Sequence, residues 1–214
     1  KKLYLADNKF LSETDVFLFP NLPPIEWIQK SHDSKVINPS QIKFVHIGAL
    51  GLESTYLKEF MEWIVKFDGQ YSLDLYLGSL DSETLSYINE MSSRYKFISI
   101  HERVSYYDLP SILSQYDIGL VLYNGYIPNF VFNVPNKVME YLVCGLNVWY
   151  SKELVTTTSF YREYDFKGCY QMDYKNIDNF NLPDISSYDN IEAIKNVYSS
   201  KTKKELLKNY YDKT

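Results

Sequence analysis

The chain has 214 residues, 45% hydrophobic and 23% charged, with a formal net charge of −5. That is a globular composition, long enough for one large domain or two small ones. The acidic balance argues against a general attraction to nucleic acid. No apolar run approaches the roughly 20 residues of a membrane-spanning helix. Aromatic residues reach 17% and no long charge block appears, which excludes disorder as the main state. Cys144 and Cys169 lie in apolar contexts and read as reduced core thiols of a cytoplasmic protein, not as a disulfide framework. The chain starts at Lys1 rather than Met, so the natural N-terminus is expected upstream. The 21 tyrosines suit carbohydrate stacking or, more simply, a compositional bias of the source genome.

In chain order, residues 15–20 (DVFLFP) read as a short buried strand, after which Pro20, Pro23 and Pro24 break regular structure. Residues 25–41 have few periodic apolar positions and read as linker with one short helix. Residues 1–40 are therefore expected to be the tail of a preceding domain and its linker, and residues 41–214 a second domain. Residues 43–49 (KFVHIGA) form a first strand ending in glycine. Leu57, Phe60, Met61, Ile64 and Val65 then recur at helical spacing over residues 54–67. A second strand, SLDLYL at 72–77, is closed by Gly78, and Leu85, Ile88 and Met91 suit a helix over 83–91.

Residues 96–101 (KFISIH) make a third strand. Asp108 and Pro110 start a helix with Leu109, Ile112, Leu113 and Tyr116 as its apolar face. Residues 117–123 (DIGLVLY) make a fourth strand. The helix over 135–144 is stopped by Gly145, and strands follow at 146–150 and 168–172. A terminal helix is expected over 190–211. Strands alternating with helices predict an α/β fold: a doubly wound, Rossmann-like parallel sheet of about six strands with helices on both faces.

Ligands of such sheets bind beyond the carboxyl ends of the strands. Three loops lie there. The turn Gly48-Ala49-Leu50-Gly51 lets backbone N–H groups approach an anion ahead of a helix start, although a plain tight turn has the same form. The loop His101-Glu102-Arg103-Val104 offers backbone groups to a nucleobase edge; His101 as a catalytic base is the less favoured reading beside a structural one. Residues 129–146 are the most informative. An Asn/Pro-rich loop precedes a helix whose exposed N–H groups can hold phosphate oxygens. Lys137 opposes the helix dipole in the first turn, which a nearby anion would explain. Glu140 can accept two hydrogen bonds from a ribose diol. The plainer alternatives are a solvated Glu140 and an ion pair between Lys137 and Glu140 at i, i+3. His32, His46 and His101 are dispersed and no cysteine pair has zinc spacing, so no metal site is expected.

The segment VPNKVMEYLVCGLNV, residues 134–148, resembles the Pro-x-Lys-x-x-Glu-Tyr-x-x-x-Gly-x-x-Val signature in the C-terminal, donor-binding domain of family-4-like GT-B glycosyltransferases. FVHIGALG at 44–51, LYLGS at 75–79, YDLPSILSQYDIGLVLY at 107–123 and DVFLFPNLPP at 15–24 are similar in order. The resemblance implies a transferase moving a sugar from a UDP- or GDP-linked donor to a hydroxyl acceptor, with retention and without a metal, in polysaccharide or glycoconjugate synthesis. It implies that Glu140 binds the ribose hydroxyls and that Lys137 lies near the donor phosphates. It sets Asn133, Val134 and Asn136 along the diphosphate or donor sugar, Gly48 and Gly51 under the phosphates, and Arg103 and Val104 at the base. The acceptor-binding N-terminal domain would then lie outside this chain, which alone is expected to transfer nothing. A peripheral contact of the whole enzyme with the inner face of a membrane would suit a lipid-linked acceptor. Phe132 stands where many members carry a second glutamate, and Lys58 is the first cation after the first strand, where an Arg/Lys pair is common. Two rivals share the fold: half of a nucleotide-sugar epimerase, and a degenerate, non-catalytic binding module.

Overall fold

The computed structural model describes residues 21–30, 37–180 and 185–199. The strand expected at 15–20 and the end of the terminal helix lie outside the described residues. Six parallel strands form one sheet in the order β3-β2-β1-β4-β5-β6. They are β1 (Lys43–Gly48), β2 (Ser72–Leu77), β3 (Ile98–His101), β4 (Ile118–Val121), β5 (Asn147–Ser151) and β6 (Cys169–Met172). The helices are α1 (Leu57–Ile64), α2 (Ser82–Arg94), α3 (Leu109–Leu113), α4 (Pro128–Phe132), α5 (Asn136–Val143), α6 (Val155–Tyr164) and α7 (Ile191–Ser199). This is the doubly wound α/β sheet that the alternation of apolar runs predicts.

Side chains alternate across a strand, so the sheet has two cores. Phe44, Leu73, Leu75, Ile118, Leu120 and Trp149 pack with Leu57, Phe60, Ile64 and Ile88 from α1 and α2 on one face. Val45, Val121, Val148 and Tyr150 pack with Leu113, Val138, Leu142, Tyr161, Ile194 and Val197 on the other. Trp27 and Ile28, in a 3-10 helix over Ile25–Lys30, join this second core. Cys144 is buried, Cys169 partly so, and both are free thiols. Among the described residues, no helix is long and apolar enough to cross a membrane.

Two expectations are corrected. Leu85 is 41% exposed, and Thr84, Ile88 and Met91 form the buried stripe of α2 instead. The helix begins one residue early, at Ser82, because the Asp81 carboxylate accepts the Thr84 N–H at 2.7 Å and caps it. The helix start read just beyond Gly51 is displaced to Leu57, because a further turn intervenes in which the Thr55 N–H and hydroxyl both bond to the Gly51 carbonyl.

Candidate functional site

The crevice lies where the strand order reverses, between β1 and β4. These two strands share only two register pairs, Phe44↔Ile118 and Val45↔Gly119. Beyond them the strands part, and side chains satisfy the backbone groups left over. The Ile47 N–H donates to the Tyr141 hydroxyl at 3.1 Å. The Leu120 carbonyl lies 3.1 Å from His46 Nδ1. Tyr141 can reach because its ring lies flat over Gly119, where an added Cβ would come within 2.3 Å of it.

A cavity of about 590 Å³ opens above this gap. Its floor is backbone: Gly78 N–H bonds to the Gly48 carbonyl at 3.0 Å, and a Cβ on Gly78 would strike the Gly48 carbonyl carbon at 2.8 Å. Gly48 itself has φ +107°, which L side chains rarely adopt. The walls come from the ends of β1 and β2, the loop after β3, and the segment leading into α5. Pro135 stands at the N-cap of α5, so no side chain caps its first turn. Gly145 ends the helix in a left-handed conformation, with Leu146 N–H bonded to the Tyr141 carbonyl and Gly145 N–H to that of Leu142.

Lys137 is only 7% exposed. Its Nζ lies 3.3 Å from His46 Nε2 and 4.8 Å from the centre of the Tyr123 ring. It is also 3.6 Å from where a Cβ on Gly48 would stand. Among the described residues no carboxylate lies within ion-pair distance of it, so the i, i+3 pair with Glu140 is not formed; Lys137 reaches His46 and Tyr123 instead. Burial lowers its pKa to about 7, with the Glu140 charge opposing that shift. Glu140 is partly buried in the cavity wall, and burial raises its pKa against the pull of Lys137.

Of the nine residues read from the sequence, Gly48, Arg103, Val104, Asn133, Asn136, Lys137 and Glu140 line the cavity. Gly51 and Val134 do not. Gly51 is buried in the turn before α1, and Val134 packs against the second core. Asn136 is exposed and accepts from Asn21 Nδ2 at 2.9 Å. The Asn133 Oδ1 is buried with no partner among the described residues. His101 is not in the wall: its Nε2 lies 2.8 Å from Asp74 and its ring stacks on Tyr76 at 4.5 Å. Tyr76, Tyr106, Tyr123 and Phe130 line the cavity as well, and His46 lies buried against Lys137; the sequence left all five unmarked. His46 had one signal, a histidine inside an apolar strand two residues before its closing glycine.

No family model matches the chain, and no curated protein does. Solved structures do. TarM matches over 99% of this chain and 41% of its own length, at 12% identity and a TM-score of 0.61. The lipopolysaccharide outer core galactosyltransferase WaaB, in its apo form, matches over 99% of this chain and 59% of its own, at 14% identity and a TM-score of 0.58. The fold is that of a GT-B glycosyltransferase C-terminal domain. The GT-B likeness covers the sheet and both helical layers, and this chain spans about two fifths of TarM and three fifths of WaaB.

Proposed function

We propose that the cavity binds the nucleoside diphosphate of a sugar donor, and that the chain is the donor-binding half of a glycosyltransferase acting on a hydroxyl acceptor. The observation that carries this is the buried ammonium of Lys137, held beside a glycine floor and the uncapped start of α5 with no carboxylate within ion-pair distance among the described residues. Such a cation invites an anion. A diphosphate fits beside Gly48, where no side chain obstructs it. Glu140 would take the ribose diol, and Arg103 and Val104 the base. A sugar hydroxyl is a donor that would satisfy the buried Asn133 oxygen. In the transfer, negative charge grows on the leaving diphosphate. Lys137 and the backbone dipoles at α5 would stabilise it without reorganisation. The acceptor site belongs, in this reading, to a further domain of the whole protein, and this chain alone turns over nothing. Among the described residues Glu140 is the single carboxylate in the wall, which disfavours an epimerase needing several acid–base groups.

One observation favours the rival binding module: Phe132, at the position of the family's second glutamate, is 56% exposed. Calorimetric titration with UDP and with GDP tests the leading reading. One of the two should bind the wild type. Glu140→Ala should weaken it tenfold to a hundredfold, the equivalent of roughly 1.5–3 kcal/mol for a charged hydrogen-bonding group. Failure of both nucleotides to bind, or equal affinity in the variant, defeats the assignment. Donor binding by a whole protein that shows no transfer would establish the module.

A further inference from the structure

The cavity floor rests on a histidine to which the reading above gives no role. His46 has no exposed surface. Its Nδ1 lies 3.1 Å from the Leu120 carbonyl oxygen, and a carbonyl only accepts, so Nδ1 carries a proton. In the neutral ring Nε2 then presents a lone pair, and the Lys137 ammonium at 3.3 Å donates to it. The Ala49 carbonyl is also 3.3 Å from Nε2. A doubly protonated ring would satisfy both carbonyls, but it would set a second buried cation against Lys137. Burial, and then the Lys137 charge, push the imidazole pKa well below its ordinary value. The neutral, Nδ1-protonated ring is the form that fits.

The charged and titratable groups facing Lys137 are His46 from β1, Tyr123 after β4, Glu140 and Tyr141 from its own helix, and Tyr76 and Arg103 in the cavity wall or lining. Among the described residues, the two in contact with the ammonium, an imidazole lone pair and a tyrosine ring face, are both neutral. We propose that His46 is a positioning residue for anion capture: its neutral Nε2 tethers the Lys137 ammonium beside Gly48 without cancelling its charge, which stays available to the phosphates of an incoming nucleoside diphosphate. This rests on the diphosphate reading of the cavity. A carboxylate in place of His46 would hold the lysine but neutralise it. An apolar residue would leave the ammonium desolvated against Tyr123 alone, and the lysine would shed its proton at lower pH. Histidine gives one acceptor at a fixed reach and stays uncharged beside a cation.

Two measurements on the 214-residue chain test this. One follows the Lys137 side-chain Cε and Nζ by NMR against pH, without ligand. The other measures UDP and GDP affinity against pH. In the wild type the lysine loses its proton near pH 7, and nucleotide affinity falls above the same point. In His46→Leu both midpoints move down together by about one pH unit, an approximately tenfold loss of affinity above the wild-type midpoint. His46→Gln, whose amide oxygen reaches the place of Nε2, returns the midpoint towards wild type. If His46→Leu does not fold, His46→Asn replaces it, since its amide reaches Leu120 but falls short of Lys137. A merely structural histidine would change melting or affinity with the lysine midpoint fixed. That fixed midpoint in a folded variant, or a Gln variant behaving as Leu does, overturns the proposal. If neither nucleotide binds the wild type, the diphosphate reading fails and takes the capture role with it. The NMR midpoints then show separately whether the tether itself exists.

Discussion

Lys137 makes the free protein less stable than its fold would otherwise be. The unfolded chain keeps this proton up to about pH 10.4, the ordinary lysine value, while the folded protein releases it near pH 7. Between those values the unfolded state binds more protons, so stability rises with pH through the window. Below pH 7 both states hold the proton and the burial penalty is complete. Lys137→Met keeps the length of the stem and removes the charge. It should raise stability at pH 6–7 by on the order of 1–3 kcal/mol, with the gain fading towards pH 10, while nucleotide affinity falls. Urea denaturation at a series of pH values measures it. A variant less stable than wild type at pH 6 would mean that His46 and Tyr123 more than repay the desolvation. The place of Lys137 in the first turn of a helix was legible in the sequence; its burial was not. A linear pattern puts the lysine in a first turn, and only the fold lays it over the end of a strand 91 residues away in sequence.

At the scale of elements, α5 ties the two halves of the sheet through Tyr141, and the fit depends on the missing side chain of Gly119. Gly119→Ala would drive a methyl into the Tyr141 ring, and should cost about 1–3 kcal/mol, as overpacking does. Tyr141→Phe keeps the ring and strands the Ile47 N–H, at a similar cost of about 1–3 kcal/mol. Thermal or denaturant unfolding checks both. A neutral Gly119→Ala would show that the ring has room to retreat. The six strands and the glycine stop of α5 were readable because apolar runs and left-handed glycines are local signals. The short α4 and the ten-residue α6 were not. The α6 sequence VTTTSFYREY begins with a β-branched run of poor helix propensity. It is helical because Tyr161 beds into the second core beside Tyr150, at a ring separation of 4.9 Å. That is tertiary packing, which periodicity does not record. Gly51 and Val134 belong to the same two loops but lie outside the cavity lining, Gly51 in the turn before α1 and Val134 against the second core.

Across the whole molecule, the sheet is two local ladders joined at one short seam. β1 and β2 share six register pairs, and β2–β3, β4–β5 and β5–β6 four each, against two for β1–β4. The seam is held at one end by Asp117, which accepts the Lys43 N–H at 2.8 Å, and at the other by His46 and Tyr141 beneath the cavity. Closing it brings together residues 74 apart in the chain, while β1–β2 and β4–β5 pair over shorter separations. Loops of that length make the seam the slower contact to form. A diphosphate bound across it would act as a kinetic clasp. In a stopped-flow jump into guanidinium, saturating nucleotide should slow unfolding and leave refolding nearly unchanged, the mark of contacts absent from the transition state. Equal slowing and speeding of the two limbs would place the seam in the folding nucleus. In the expected case, the cleft that receives the ligand is also the last part of the protein to assemble and the first to come apart, so occupancy would set the lifetime of the native chain.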